Sequence, residues 1–190
     1  MIESFTLPNY GIIKSKLPSK LYSALLKECL SYKKNNKFIS GLTEPGVANH
    51  FYVKQNKDNI SNFISEMVNK YTQEYPNYPK SIKILNNNTS AVFQDPWINI
   101  QKYNEYIPVH DHDGIFSYNI WMKLPTKSIF EFNYSTVLGT QTIQRFILEK
   151  ESEGTVILFP SLLRHTVYPF KKTKEVRISI AGNILLNVKQ

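Results

Sequence analysis

The 190-residue sequence predicts a mostly β protein, a sandwich, jelly roll or barrel, with helices ahead of its strands. Three observations carry that expectation. Apolar spacing of helical type is confined to the first third of the chain. From about Ile82 onward the pattern changes to period two. Turn-forming residues then cut the remainder into short runs rich in Ile, Val, Phe and Tyr.

Pro18 followed by Ser19 opens the first helical segment, with Leu21, Tyr22, Leu25, Leu26, Cys29 and Leu30 at helical spacing. Cys29 lies on that apolar face and reads as a small buried residue. A second helix starts near the capping candidate Asp58 and carries Ile60, Phe63, Ile64, Met67, Val68 and Tyr71. It stops by Tyr75, because Pro76 disfavours helical geometry in the residue before it. Between them, Phe38 to Val53 holds Gly41, Pro45 and Gly46 with little periodicity, and reads as irregular. Seven stretches then read as strands: Ala91 to Tyr103, Ile115 to Leu124, Ile129 to Tyr134, Gln141 to Leu148, Thr155 to Phe159, Arg164 to Pro169 and Val176 to Leu185. Asn86-Asn87-Asn88 and Glu153-Gly154 read as turns. Successive short strands point away from a parallel sheet with crossover helices. With no repeat or linker, residues 1–190 read as one domain: 1–80 a helical support, 81–190 the β core, the helices outside one sheet.

Composition narrows the function classes. Apolar residues make up 42% and charged ones 20%, which excludes a disordered chain. No apolar run approaches the roughly 18–20 residues of a membrane span. The opening MIESFTLPNYGIIKSK lacks the features of a secretion signal, and the single cysteine excludes an internal disulfide framework, so a cytoplasmic protein is expected. The formal charge of +8 invites a nucleic-acid reading, but Lys occurs in pairs at most, as at Lys33-Lys34 and Lys171-Lys172. Nucleic acid therefore stays a partner without specific support.

The chemistry concentrates in the β region. His110 and His112 stand two apart in Pro108-Val109-His110-Asp111-His112-Asp113-Gly114, a spacing that puts both imidazoles on one side of an extended chain. His165 follows at the approach to a later strand, where a third imidazole would complete one face of a coordination sphere. Twelve residues on, Arg177 and Ser179 share one strand face, with Val176, Ile178 and Ile180 on the other. A guanidinium among inward-facing residues is expensive without an anion, and its planar fork matches a carboxylate. The fourth histidine, His50, reads as a packed or surface residue.

In combination these residues resemble the iron(II)- and 2-oxoglutarate-dependent oxygenases. Trp97-Ile98-Asn99-Ile100-Gln101, His110-x-His112-x-Gly114, Ser117 and the run from Gly154 to His165 are similar to a branch seen in marine bacteria and their phages. The resemblance covers about Ala91 to Leu185. It implies a double-stranded β-helix (a jelly-roll or cupin-like barrel) supported by N-terminal helices, in the cytoplasm of a bacterial or phage-infected cell. It implies iron(II) held by His110, His112 and His165, and 2-oxoglutarate anchored at its far carboxylate by Arg177 with Ser179 assisting. Asn99, Gln101, Ser117 and Asn119 become candidates for the cosubstrate pocket, Trp121 alternating with them. The implied reaction couples dioxygen and oxidative decarboxylation of 2-oxoglutarate to oxidation of an unidentified primary substrate.

The wider family uses two histidines and a carboxylate. Here the second position is His112, so two ligand sets stay open: three imidazoles, or Asp111 or Asp113 swung in. Two other readings compete. A metal-binding cupin that does not use 2-oxoglutarate would want a Glu after the second His, and none occurs between Gly114 and Leu124. A non-enzymatic jelly-roll binding module would leave the histidines apart. The orientation of Arg177 discriminates them.

Overall fold

The computed structural model describes residues 3, 10–32, 49–78 and 90–187. The expected turn at Asn86-Asn87-Asn88, the start of period two at Ile82, and Gly41, Pro45 and Gly46 lie outside these residues. Among the described residues, β1 (Ile13–Lys16) precedes α1 (Ser19–Tyr32), and β2 (Asn49–Tyr52) precedes α2 (Lys57–Glu74). Then follow β3 (Ser90–Phe93), β4 (Trp97–Gln101), β5 (Ile107–His110), β6 (Phe116–Lys123), β7 (Ser128–Ser135), β8 (Gln141–Leu148), β9 (Thr155–Pro160), β10 (His165–Val167) and β11 (Arg177–Asn187). The larger sheet has the order β1-β9-β6-β11-β4-β2, with β3 also on β11. The smaller has the order β5-β10-β7-β8. All pairings are antiparallel.

Both helices pack on the outer face of the larger sheet, α1 against β6 and α2 against β1 and β9. α2 buries Ile60, Ile64, Met67 and Tyr71, a stripe of three- and four-residue steps, and ends at Tyr75 as expected. These side chains join Ile98, Ile100, Tyr118, Ile120, Val156, Leu158, Ile178 and Ile180 in one apolar layer. α1 adds Leu25 and Cys29, whereas Leu30, expected on that face, is exposed. Its place is taken in part by Glu28, buried because its carboxylate accepts hydrogen bonds from the backbone N–H groups of Lys54 (2.7 Å) and Gln55 (2.9 Å) and from Asn56 Nδ2 (2.8 Å). That knot ties α1 to the start of α2. Asn56, not Asp58, is the N-cap; Asp58 sits in the first turn, where its charge complements the helix dipole.

Several strands depart from expectation. β1 lies in the region read as helical, and β2 falls inside the stretch read as irregular. The expected strand from Ala91 to Tyr103 is two, interrupted at Gln94–Pro96. Pro96 has no N–H to donate, but its carbonyl accepts from Val53 N at 2.8 Å. β5 was not expected either, and it tolerates Pro108 because it is the margin of the smaller sheet. β10 begins only at His165, leaving Arg164 outside. A second apolar cluster, including Trp121, Phe130, Phe132, Ile157, Phe159 and Val167, fills the space between the sheets.

Candidate metal and cosubstrate site

β10 pairs with β5 so that His165 lies opposite His110. Past the end of β5 the chain leaves the sheet, and the His112 N–H donates to the Ser161 carbonyl at 3.0 Å. His112 thus reaches the group from a loop rather than from a continued strand. Gly114 makes the turn back into β6: its φ is +106°, and a Cβ there would sit 2.5 Å from the Ile184 carbonyl oxygen. The ring centroids are 4.2 Å apart for His110–His165, 4.8 Å for His110–His112 and 5.1 Å for His112–His165. One nitrogen from each ring lies within 4.8 Å of the others, and among the described residues no carboxylate joins this trio. Asp111 and Asp113 are exposed.

The rings are prepared for a cation. Nδ1 of His110 is 2.8 Å from the Pro108 carbonyl and Nδ1 of His165 is 2.9 Å from the Leu163 carbonyl. Two carbonyls accept only from N–H, so each Nδ1 carries the proton and each Nε2 presents a lone pair. Burial, reinforced by the neighbouring His110, pushes the pKa of His165 down to about 3 and that of His112 down to about 4. Both are neutral ligands at neutral pH. Phe130 stacks on His165 at 5.3 Å and Phe159 meets it edge-on at 5.0 Å, fixing its ring plane. Three imidazoles on one side of a space fit a borderline divalent ion with positions left open.

Alternation on β11 turns Arg177, Ser179 and Ala181 toward the smaller sheet, opposite Gln101, Asn99 and Trp97 of β4. Arg177 is 1% exposed. Its Nε donates to Gln101 Oε1 at 3.1 Å and its Nη1 to the Tyr168 carbonyl at 3.0 Å, and its guanidinium lies 4.8 Å over the Phe170 ring. Nη2 has no partner, nor has Nε2 of Gln101. Burial lowers the Arg177 pKa to about 10, which still leaves a cation at neutral pH without an anion beside it. Asn99 Nδ2 donates to Ser179 Oγ at 3.4 Å, leaving Asn99 Oδ1 without a partner; Asn119 Nδ2, opposite Ala181, likewise has none.

A cavity of about 360 Å³ runs between the sheets, lined by the three histidines together with Trp97, Asn99, Asn119, Phe130 and Phe159. Gln101, Ser179 and Arg177 lie outside this lining, Gln101 and Arg177 forming the next pair along the ladder from Asn99 and Ser179. Ser117 has a different occupation: its Oγ lies 2.8 Å from Asn183 Oδ1 and 3.0 Å from Ser161 Oγ, a buried triplet that braces the loop carrying His112. Trp121 packs edge-on against Phe130 at 5.7 Å. His50, read from the sequence as a packed or surface residue, is buried, and its place in a strand was not foreseen. β2 pairs it with Asn99 and pairs Tyr52 with Trp97, and both His50 and Tyr52 line the cavity. The signal lay in the alternation of His50 and Tyr52 with Phe51 and Val53, which is too short to be read as a strand.

The scan of family models matches residues 95–183 to the family described as "Putative 2OG-Fe(II) oxygenase". That segment contains His110, His112, His165 and Arg177. No curated protein matches. Among solved structures, the chain is similar to a prolyl-4-hydroxylase of Pseudomonas putida, with 13% identity, 93% of this chain and 92% of that one covered, and a TM-score of 0.59. It is similar to a prolyl hydroxylase of Trichoplax adhaerens solved with a peptide fragment of hypoxia inducible factor: 11% identity, 94% and 84% covered, TM-score 0.57. HygX of Streptomyces hygroscopicus, solved with nickel and 2-oxoglutarate, gives 9% identity, 94% and 84% covered, and a TM-score of 0.57. At such identities these structures establish the shared jelly-roll fold, and the family match over residues 95–183 points to an oxidoreductase dependent on iron(II) and 2-oxoglutarate.

Proposed function

We propose that His110, His112 and His165 hold iron(II) through their Nε2 atoms, and that Arg177 with Gln101 receives the far carboxylate of 2-oxoglutarate. The observation that carries this reading is the pairing of a histidine trio with a fully buried guanidinium that meets no carboxylate among the described residues, on facing sheets. A buried charge without a counter-ion is costly, and a carboxylate on Nη2 would satisfy both it and the free Gln101 Nε2. Asn99, Ser179 and Asn119 supply the polar wall between the two.

Bound together, iron(II) and 2-oxoglutarate supply oxidative decarboxylation coupled to oxidation of a substrate C–H bond. The chain's own part is holding and orienting. The Pro108 and Leu163 carbonyls keep the protons of His110 and His165 on Nδ1, and the phenyl rings of Phe130 and Phe159 hold the His165 plane and exclude water behind it. Arg177 supplies a fixed positive charge whose direction is set by Gln101, the Tyr168 carbonyl and Phe170. Our reading is a hydroxylase-type reaction, with three imidazole ligands and no carboxylate among them. Among the described residues no helix is long and apolar enough to cross a membrane, and the buried free Cys29 suits our reading of a cytoplasmic enzyme.

The test is anaerobic reconstitution with iron(II), then addition of 2-oxoglutarate. The wild type develops a visible metal-to-ligand charge-transfer band. Arg177→Ala requires far more 2-oxoglutarate to reach it, and His165→Ala does not reach it. A band of unchanged affinity in Arg177→Ala rejects the carboxylate assignment.

A further inference from the structure

We propose that His50 is a specificity-determining residue that reads an uncharged amide group of the primary substrate, with Asn99 beside it. The inference rests on the site assignment above and extends it to the substrate. His50 is 9% exposed, lines the same cavity as the three histidines, and neither ring nitrogen has a hydrogen-bond partner. Its cross-strand neighbour Asn99 has committed its Nδ2 to Ser179, which leaves a buried acceptor oxygen next to the His50 ring. Buried polar atoms are normally satisfied, so a wall with three unsatisfied ones is shaped for a ligand that completes it.

Two further observations define that ligand. Apart from histidine, none of the described residues lining the cavity is ionisable as an acid or base near neutral pH: no Asp, Glu, Lys or Arg is among them. A charged group lodged at His50 would lose its water without a counter-ion. Burial also lowers the His50 pKa, so its ring is neutral and offers one donor and one acceptor, the complement of the C=O and N–H of an amide. Tyr52, half exposed at the cavity mouth, and Trp97, whose ring is 6.1 Å from that of His112, flank this wall and lead from solvent to the metal side. A nucleotide would bring a phosphate as well as a base, and among the described residues the lining holds no Lys or Arg to meet it. The cosubstrate is a less suitable occupant of His50, because its far carboxylate is drawn to Arg177, one inward pair deeper on the sheet.

The experiment uses the full chain loaded anaerobically with iron(II) and 2-oxoglutarate, and reads the perturbation of the charge-transfer band as probes are added. The probes are N-acetylalaninamide and N-acetylvalinamide, their free-acid counterparts, and adenosine. In the wild type the capped amides perturb the band and the acids and adenosine do not. His50→Leu weakens amide binding by about tenfold or more, consistent with loss of a buried hydrogen-bonded pair, while 2-oxoglutarate affinity stays within about threefold of wild type. His50→Gln, which keeps one donor and one acceptor, restores most of the amide affinity; a merely structural role would not produce the amide-over-acid preference or this rescue. The proposal is overturned if the wild type ignores the amides, if acids or adenosine bind as well, if His50→Leu binds amides undiminished, or if it loses 2-oxoglutarate instead. Absence of the band in the wild type overturns the site assignment itself, and is distinguishable because it precedes any probe.

Discussion

On β11, Ile178, Ile180 and Ile184 face the helices, while the intervening Arg177, Ser179 and Asn183 face the smaller sheet. The same split runs through β4, where Ile98 and Ile100 alternate with Asn99 and Gln101, and through β6, where Tyr118 and Ile120 alternate with Ser117 and Asn119. Among the described residues, eight buried side-chain atoms lack a partner, and six belong to inner-face residues: His50, Asn99, Gln101, Asn119 and Arg177. On the outer face only the Tyr118 hydroxyl is among them. The unpartnered atoms concentrate on the inner face, so on our reading stability and binding are written on opposite sides of the same strands.

That separation can be broken in a graded series. Ile180→Ala opens a void in the outer layer and lowers unfolding free energy by about 2–5 kcal/mol in a denaturant titration. The fraction that stays folded keeps wild-type 2-oxoglutarate affinity; a parallel loss of affinity would mean that the faces are not independent. His165→Ala weakens iron(II) binding in an anaerobic titration by more than the roughly 10–100-fold that losing a ligand's supporting partner costs. Equal iron affinity in this variant would remove His165 from the ligand set.

Arg177→Met sharpens the comparison, because two readouts should move in different directions. Affinity for 2-oxoglutarate falls about 10–100-fold, as expected for a charge-assisted contact. The melting temperature of the metal-free protein does not fall, since the variant removes a buried charge that has no anion. A clear drop in melting temperature would make Arg177 a structural residue. The smallest effect is on acid stability. His112 and His165 hold pKa values of about 4 and about 3 when folded, against the ordinary 6.5 of the unfolded chain. Between pH 6.5 and 3 the unfolded chain therefore binds protons that the folded one refuses, and metal-free stability declines as pH falls through that window. The decline is shallower in His165→Ala; an identical slope would contradict the burial of a neutral ring.

Legibility in the sequence follows element length. α2 spans five turns, so Ile60, Ile64, Met67 and Tyr71 repeat often enough to reveal both helix and face. β6, β7 and β8 are eight residues each and were readable for the same reason. β1, β2 and β5 have four residues each, too few to display a period, and they are strands because a partner's hydrogen-bonding edge was vacant. Asn99, Gln101, Arg177 and Ser179 could be assigned to one face from alternation alone. Ser117 was also given its correct face, but alternation could not reveal that its hydroxyl belongs to Asn183 and Ser161, sixty-six and forty-four residues away. That His50 lies opposite Asn99 was not legible, because strand pairing and not local sequence puts it there.

Local periodicity by itself determined which residues form the helices and the longer strands, and which side chains share a face, because those properties repeat within a few residues. The resemblance carried by His110-x-His112, His165 and Arg177-x-Ser179 named the chemistry. Only the tertiary structure decided that the three rings converge without a carboxylate, that Arg177 is sealed away from solvent with one nitrogen unpaired, and that His50 stands at the cavity wall. The physical reason is that strand pairing joins residues distant along the chain, and the register that decides which of them meet is fixed by the whole sheet.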